Sequence, residues 1–138
     1  MRQYQQRVSG PLLDRIDLQV SVPRLNEDER QALLQHGRTA GPDSNSIRVQ
    51  VLACRERQLE RTGCSNARLE QKQVRQHCAL TAGDTRLLSE AVTRLRLSAR
   101  ATFRILKIAR TVADLDEAVR IATPHLLEAI NYRRFDTL

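Results

Sequence analysis

An all-α bundle of four or five helices joined by short loops, preceded by one orphan strand and a mobile loop, is what this 138-residue sequence leads one to expect. Three observations carry that expectation. From Ser46 onward the apolar residues recur at three- and four-residue intervals. The breaks between those runs are short and carry capping residues. Only one stretch, Ile16 to Val22, alternates as a strand does, with Ile16, Leu18, Val20 and Val22 between Asp17, Gln19 and Ser21.

That stretch follows a turn at Ser9, Gly10 and Pro11 and stops at Pro23. A lone strand leaves its backbone groups unpaired in water, so its partners are expected in absent sequence or in another copy. Asn26 to Gln35 reads as a short helix, with Asn26 as cap and acidic residues in its first turn. His36 to Ser46 holds Gly37, Gly41, Pro42, Asp43 and Ser44 and reads as a mobile loop and domain boundary. The expected division is thus 1–45, an incomplete front portion, and 46–138, a complete helical domain.

Ser46 to Thr62 places Ile47, Val51, Leu52 and Leu59 at helical spacing with Arg48, Arg55 and Arg61 outside, and Gly63 ends it. A second helix runs from Ser65 or Asn66 to about Cys78, with Leu69, Val74 and Cys78 inward. A third begins at Gly83 and Asp84 and carries the stripe Leu87, Leu88, Ala91, Val92 and Leu95. The fourth, Leu97 to Leu115, puts Ala101, Ile105, Ile108 and Val112 on one face, with Leu106, Ala109 and Ala113 beside them. A last helix starts at Thr123-Pro124, Thr as cap and Pro at the first helical position, with Leu126, Leu127 and Ile130 as its core face.

The fourth helix carries Arg100, Arg104, Lys107 and Arg110 away from its apolar face, free to meet solvent or an anion. Ser98 is its N-cap, which sets Arg100 in the first turn. The helix dipole favours anions there, so helix stability does not account for Arg100; a phosphate held between it and the free amides would. The alternative is a solvated surface cation. Arg15, between Asp14 and Asp17, either pairs locally or reaches a neighbouring molecule.

Lys and Arg number 23 against 16 Asp and Glu, a net charge of +7 with pI about 10.3, which draws phosphates or an acidic partner. With 3% aromatic residues and no Trp, a base-stacking surface is disfavoured. Cys54, Cys64 and Cys78 fit neither a disulfide framework nor a metal knuckle and read as reduced cytosolic thiols; His36, His77 and His125 are scattered, and no metal site is expected. The N-terminal residues show no apolar h-region, so no secretory signal is expected, and no apolar run approaches the ~20 residues of a bilayer span. The sequence contains no GxxxxGKS/T loop, GxGxxG, HExxH or GxSxG, so any catalytic role requires a site completed elsewhere.

SGPLLDRIDLQVSVP (Ser9 to Pro23), NARL (Asn66 to Leu69), LLSEAVTRLRLSARATFRILKIARTVADL (Leu87 to Leu115) and HLLEAINYR (His125 to Arg133) together resemble the C-terminal part of the magnesium-chelatase-like AAA+ ATPases of the ComM/YifB type. The likeness covers most of Tyr4 to Arg133 and is weak through Asn26 to Asp43. It implies a ring-forming ATPase, a hexamer, with ATP and Mg2+ bound between subunits of the intact protein and neither bound by this piece alone. It implies that Arg15 in LLDRIDL is an arginine finger toward the adjacent subunit. Arg100 in SAR is then sensor 2 on the subunit's own γ-phosphate, with Arg104 a second phosphate ligand beside it. Residues 1–45 become the end of the ATPase core and 46–138 its helical lid. The partners implied are the remainder of the core, further copies of the chain, and DNA in a branch-migration or competence motor of the cytoplasm. The chemistry agrees, because phosphoryl transfer gains from fixed positive charge at the γ-phosphate and arginine's planar fork stays charged. The Walker A and B segments are absent here. Two other readings stand beside this one. The first is a free-standing basic helical DNA-binding module using Arg94, Arg96, Arg104, Lys107 and Arg110; the second is a structural module docking on an acidic protein.

Overall fold

The computed structural model describes residues 15–36 and 41–133. Among them are six α-helices: α1 (Glu27–His36), α2 (Ser44–Thr62), α3 (Gln71–His77), α4 (Ala82–Arg94), α5 (Ala99–Leu115) and α6 (Thr123–Asn131). A single 3-10 turn, Asn66–Arg68, stands between α2 and α3. No helix among the described residues is long and apolar enough to cross a membrane. The all-helical expectation holds; α2 begins at Ser44, so Ser44 to Ser46, expected as the end of a loop, are helical.

The expected strand does not form: residues 16–22 carry a bend at Asp17 and no strand pairing among the described residues. Alternation permits an extended chain, whereas a strand needs a neighbour to accept its backbone hydrogen bonds. Here the segment leans on helices instead, Gln19 N–H donating to the Tyr132 carbonyl at 3.1 Å. The turn at Ser9 to Pro11 and residues 37–40 of the expected loop lie outside the described residues.

The helix ends follow local chemistry. Asn26 Oδ1 accepts from Glu29 N–H at 2.8 Å while Glu29 Oε2 accepts from Asn26 N–H at 2.9 Å, a reciprocal cap on α1. Asp43, Thr81 and Ser98 cap α2, α4 and α5, accepting from the amides of Ser46, Asp84 and Ala101. Gly63 ends α2 in the left-handed region at φ 71°. α4 and α5 end in the same way without glycine, on Arg96 (φ 50°) and Glu117 (φ 57°). In each case the next amide reaches back to the helix, Leu97 to Val92 at 3.0 Å and Ala118 to Ala113 at 2.8 Å.

α5 is the hub, packing on α6 most extensively and also on α2, α3 and the 3-10 turn, while α6 joins α4. Its Ala101, Ile105, Ala109 and Ala113 are fully buried, and the last three form one core with Leu69, Val74, Cys78, Leu88, Ile121, Leu126, Ala129 and Ile130. The small alanines let α6 approach closely, and the branched residues fill what remains. Two expectations about helix faces and one about a cap are overturned. On α2, Ile47, Val51, Leu52 and Leu59 are exposed and the buried residues are Cys54 and Gln58. On α6, Leu127 is exposed, and His125 and Ala129 join Leu126 and Ile130 inside. Thr123 does not cap α6; its hydroxyl donates to Asp84 Oδ1 at 2.6 Å and ties α6 to the start of α4.

Candidate nucleotide-facing site on α5

The four cations of α5 part company in three dimensions. Arg110 is 2% exposed, which corrects its expected place on the solvent side. Its guanidinium bonds Asp114 Oδ1 at 3.0 Å and donates to the carbonyls of Ala118 at 2.6 Å and Val119 at 3.0 Å, closing the loop after α5. Position four before Asp114 on a helix makes the pair, and the left-handed turn at Glu117 brings the two carbonyls back within reach. Lys107 donates to the Ala67 carbonyl at 3.0 Å, fastening the 3-10 turn. Arg104 pairs with Asp17 at 2.7 Å. Arg100 is exposed and makes no ion pair among the described residues.

Asp114 is the centre of a buried polar cluster. Arg61 grips it with two bonds, 2.7 and 2.6 Å, so Arg61 too is turned inward rather than outward as its spacing suggested. Asn66 Nδ2 donates to the same carboxylate at 2.8 Å and to Thr111 Oγ1 at 3.0 Å. Burial alone would push the Asp114 carboxyl up, but the bonds from Arg61 and Asn66 and the charge of Arg110 outweigh it and hold it below the usual carboxylate range. Arg57 reinforces the same corner, donating to the Asp114 carbonyl at 2.9 Å and pairing with Glu117. This cluster was missed in the sequence. The signal available was Arg110 four residues before Asp114, read there as surface charge.

Along one side of α5, from Ala99 at its start to Leu115 at its end, lies an open cavity of about 720 Å³. Leu69, Val74, Phe103, Ile108 and Val112 supply apolar wall, and Arg100, Arg104 and Lys107 supply charge. Asp17 and Leu18 border it from the segment before α1. Ser98 Oγ caps the first turn at 3.1 Å from Ala101 N, which leaves Arg100 in that turn as expected. Arg15 is exposed, two residues from Asp17, and makes no ion pair among the described residues. The local Arg15–Asp17 pair is replaced by Asp17–Arg104. The structure thus brings Arg104 and the Arg15-bearing segment together and leaves Arg100 on the cavity.

Arg100, with no ion pair among the described residues, stands in the first turn of α5 beside the cavity's apolar wall, and Asp17 and Glu128 add carboxylates to the lining. Among the described residues no three His, Cys, Asp or Glu gather. His125 is buried and structural, accepting from Ala122 N–H at Nδ1 and meeting Asp116 through Nε2 at 3.0 Å. The three cysteines are free thiols; burial pushes Cys78 up to about 11 and raises Cys54 as well.

Residues 41–133 match the family model described as magnesium chelatase, subunit ChlI C-terminal, and residues 1–30 match that of magnesium chelatase, subunit ChlI. The chain belongs to the magnesium chelatase ChlI C-terminal family. Within it, the chain is 45% identical over 130 residues to the competence protein ComM of Haemophilus influenzae, covering 94% of this chain and 25% of that protein. It is 39% identical over 135 residues to the uncharacterized protein YifB of Salmonella typhimurium, covering 98% of this chain and 26% of that protein. An uncharacterized Mycobacterium tuberculosis protein is 28% identical over 137 residues. The chain therefore spans about a quarter of the length of these relatives. Expectations of family and of an all-helical domain are met by these matches.

Proposed function

We propose that this chain is the lid region of a AAA+ ATPase, with the end of the ATPase core in 1–45 and the lid in 46–138. In this reading Arg100 contacts the γ-phosphate bound by its own subunit and Arg15 reaches the ATP of the adjacent subunit in a homo-oligomeric, hexameric ring. ATP and Mg2+ are bound by the intact protein, and magnesium is held by the triphosphate and the Walker segments that these 138 residues lack. The piece alone hydrolyses no ATP. The whole protein couples hydrolysis to movement on branched DNA in recombination or competence, in the cytoplasm, an assignment that leans on the competence name of the Haemophilus relative.

One observation supports the reading above others. Of four cations on α5, three are engaged by Asp17, the Ala67 carbonyl, and Asp114 with two carbonyls, while Arg100 alone among them has no partner among the described residues and lines the cavity. A charge with no stabilising role in its own helix is placed where a phosphate can take it. The same accounting weakens the free-standing DNA-binding alternative, since Arg110 is buried and cannot meet a DNA phosphate.

The test is ATP hydrolysis by the intact protein. Arg15→Ala is expected to lower kcat by about 10³-fold or more, the range of an arginine finger, and Arg100→Ala to abolish most turnover with the lid still folded. Full turnover in both variants refutes the assignment.

A further inference from the structure

Arg104 lies one helical turn beyond Arg100, close enough in register for both to serve one phosphate group. Its observed partner is different. The side chain is only 18% exposed and its Nη1 stands 2.7 Å from Asp17 Oδ1. The next residue, Leu18, borders the α5 cavity, and the one after it, Gln19, donates its backbone N–H to the Tyr132 carbonyl at the end of α6. Two residues hold this segment to the helices, Asp17 by an ion pair and Gln19 by a backbone hydrogen bond, with the exposed Leu18 between them. Arg15 is two residues from the first of these anchors.

We infer that Arg104 is a positioning residue rather than a nucleotide ligand. Through Asp17 it fixes the segment that presents Arg15, so that the lid bearing Arg100 and the finger serving the next subunit move as one body. The inference rests on the roles given above to Arg15 and Arg100. An arginine finger contributes only when its guanidinium meets the transferring phosphate, and misplacement by about 1 Å can cost about 10²-fold in rate. An unanchored segment would spread Arg15 over many positions. Anchoring it to α5 also gives a subunit a route by which closure of its own lid moves the group it offers its neighbour, with no contact needed between the two nucleotides.

A phosphate ligand and an anchor make opposite kinetic signatures. Loss of a ligand weakens ATP binding and raises KM; loss of an anchor lowers kcat at constant KM, and only while the other half of the pair is present. The experiment is steady-state ATP hydrolysis by the intact protein carrying Asp17→Asn, Arg104→Gln, or both. Because the pair is partly exposed, each single variant is expected to lower kcat by about twofold to fivefold. KM for ATP stays unchanged, and the double variant is no slower than the slower single one. Asp17→Glu, which keeps the carboxylate, restores most of the rate. Asp17 is half exposed, so Asp17→Asn carries the test even where Arg104→Gln lowers stability.

A raised KM in Arg104→Gln with normal turnover in Asp17→Asn overturns the inference, as do additive losses or unchanged kcat in both. Arg15→Ala and Arg100→Ala run in parallel separate the coupling from the nucleotide contacts it rests on. Their failure to hydrolyse beside wild-type rates for Asp17→Asn and Arg104→Gln removes the coupling alone. Full turnover in Arg15→Ala and Arg100→Ala removes the underlying reading.

Discussion

The two ends of α5 carry the same side chain and put it to opposite uses. At the C-terminal end Arg110 is sunk among Asp114, Ala118 and Val119, with Arg61 and Asn66 closing the remaining positions around the carboxylate. At the N-terminal end Arg100 is exposed beside a cavity and has no ion-pair partner among the described residues. The difference is one of desolvation. A guanidinium taken out of water must find acceptors for its donors, and the turn after α5 supplies them. One left at the rim keeps its water until an anion displaces it. Fold and proposed chemistry are thereby segregated along a single helix of 17 residues.

Removing the buried acceptor should have the largest effect on stability. Asp114→Ala leaves Arg61, Arg110 and Asn66 without their shared partner, and a loss of about 3–5 kcal/mol in unfolding free energy is expected, read by denaturant titration. A loss below about 1 kcal/mol would mean that water satisfies the cluster and that the two ends of α5 differ little.

Acid should reveal the same contrast. The native Asp114 carboxyl is held below its unfolded value of about 3.9. It releases its proton more readily folded than unfolded, so its contribution is fully present above about pH 4. That contribution is lost as the pH falls through the depressed native value. Melting temperatures followed from pH 6 downward should fall more steeply in the wild-type protein than in Asp114→Asn; parallel profiles would count against the assignment.

Smaller effects come from the helix ends and from the rim. Arg96 holds a positive φ, which costs a side-chain-bearing residue about 1 kcal/mol. Arg96→Gly should therefore raise stability by up to about 1 kcal/mol, visible as a higher melting temperature, if its side chain adds nothing to the cap. Arg100→Ala should leave unfolding free energy within about 0.5 kcal/mol of wild type, because the residue is exposed. A substantial stability loss there would show Arg100 to be structural and dissolve the contrast between the two ends.

Periodicity located most helices because it reports which backbone conformation lets apolar residues share a face, although the helix expected from Ser65 or Asn66 to Cys78 is divided into the Asn66–Arg68 turn and α3. α5 runs from Ala99 to Leu115 behind the Ser98 cap, as its pattern and capping residue imply, and Leu69, Val74 and Cys78 are buried as expected. Periodicity was a poor guide to direction on α2, where Ile47, Val51, Leu52 and Leu59 form a competent apolar stripe that is nevertheless exposed. Which side of that helix turns inward follows from Arg61 reaching Asp114, 53 residues away in the chain. The same limit applies at Thr123, a suitable cap by composition whose hydroxyl is taken by Asp84, 39 residues distant.

Composition, spacing and capping residues were sufficient for the helical class, the frame of α5, the placing of Arg100 in its first turn and the likeness to a chelatase-type lid. These are local properties, set by a residue and its neighbours within a turn or two. Which cations are engaged, that Arg104 holds Asp17 while Arg110 is buried, and that Ile16 to Val22 forms no ladder among the described residues were matters for the folded chain. Charge pairing and desolvation depend on distances between residues remote in sequence, and no spacing rule along the chain encodes them.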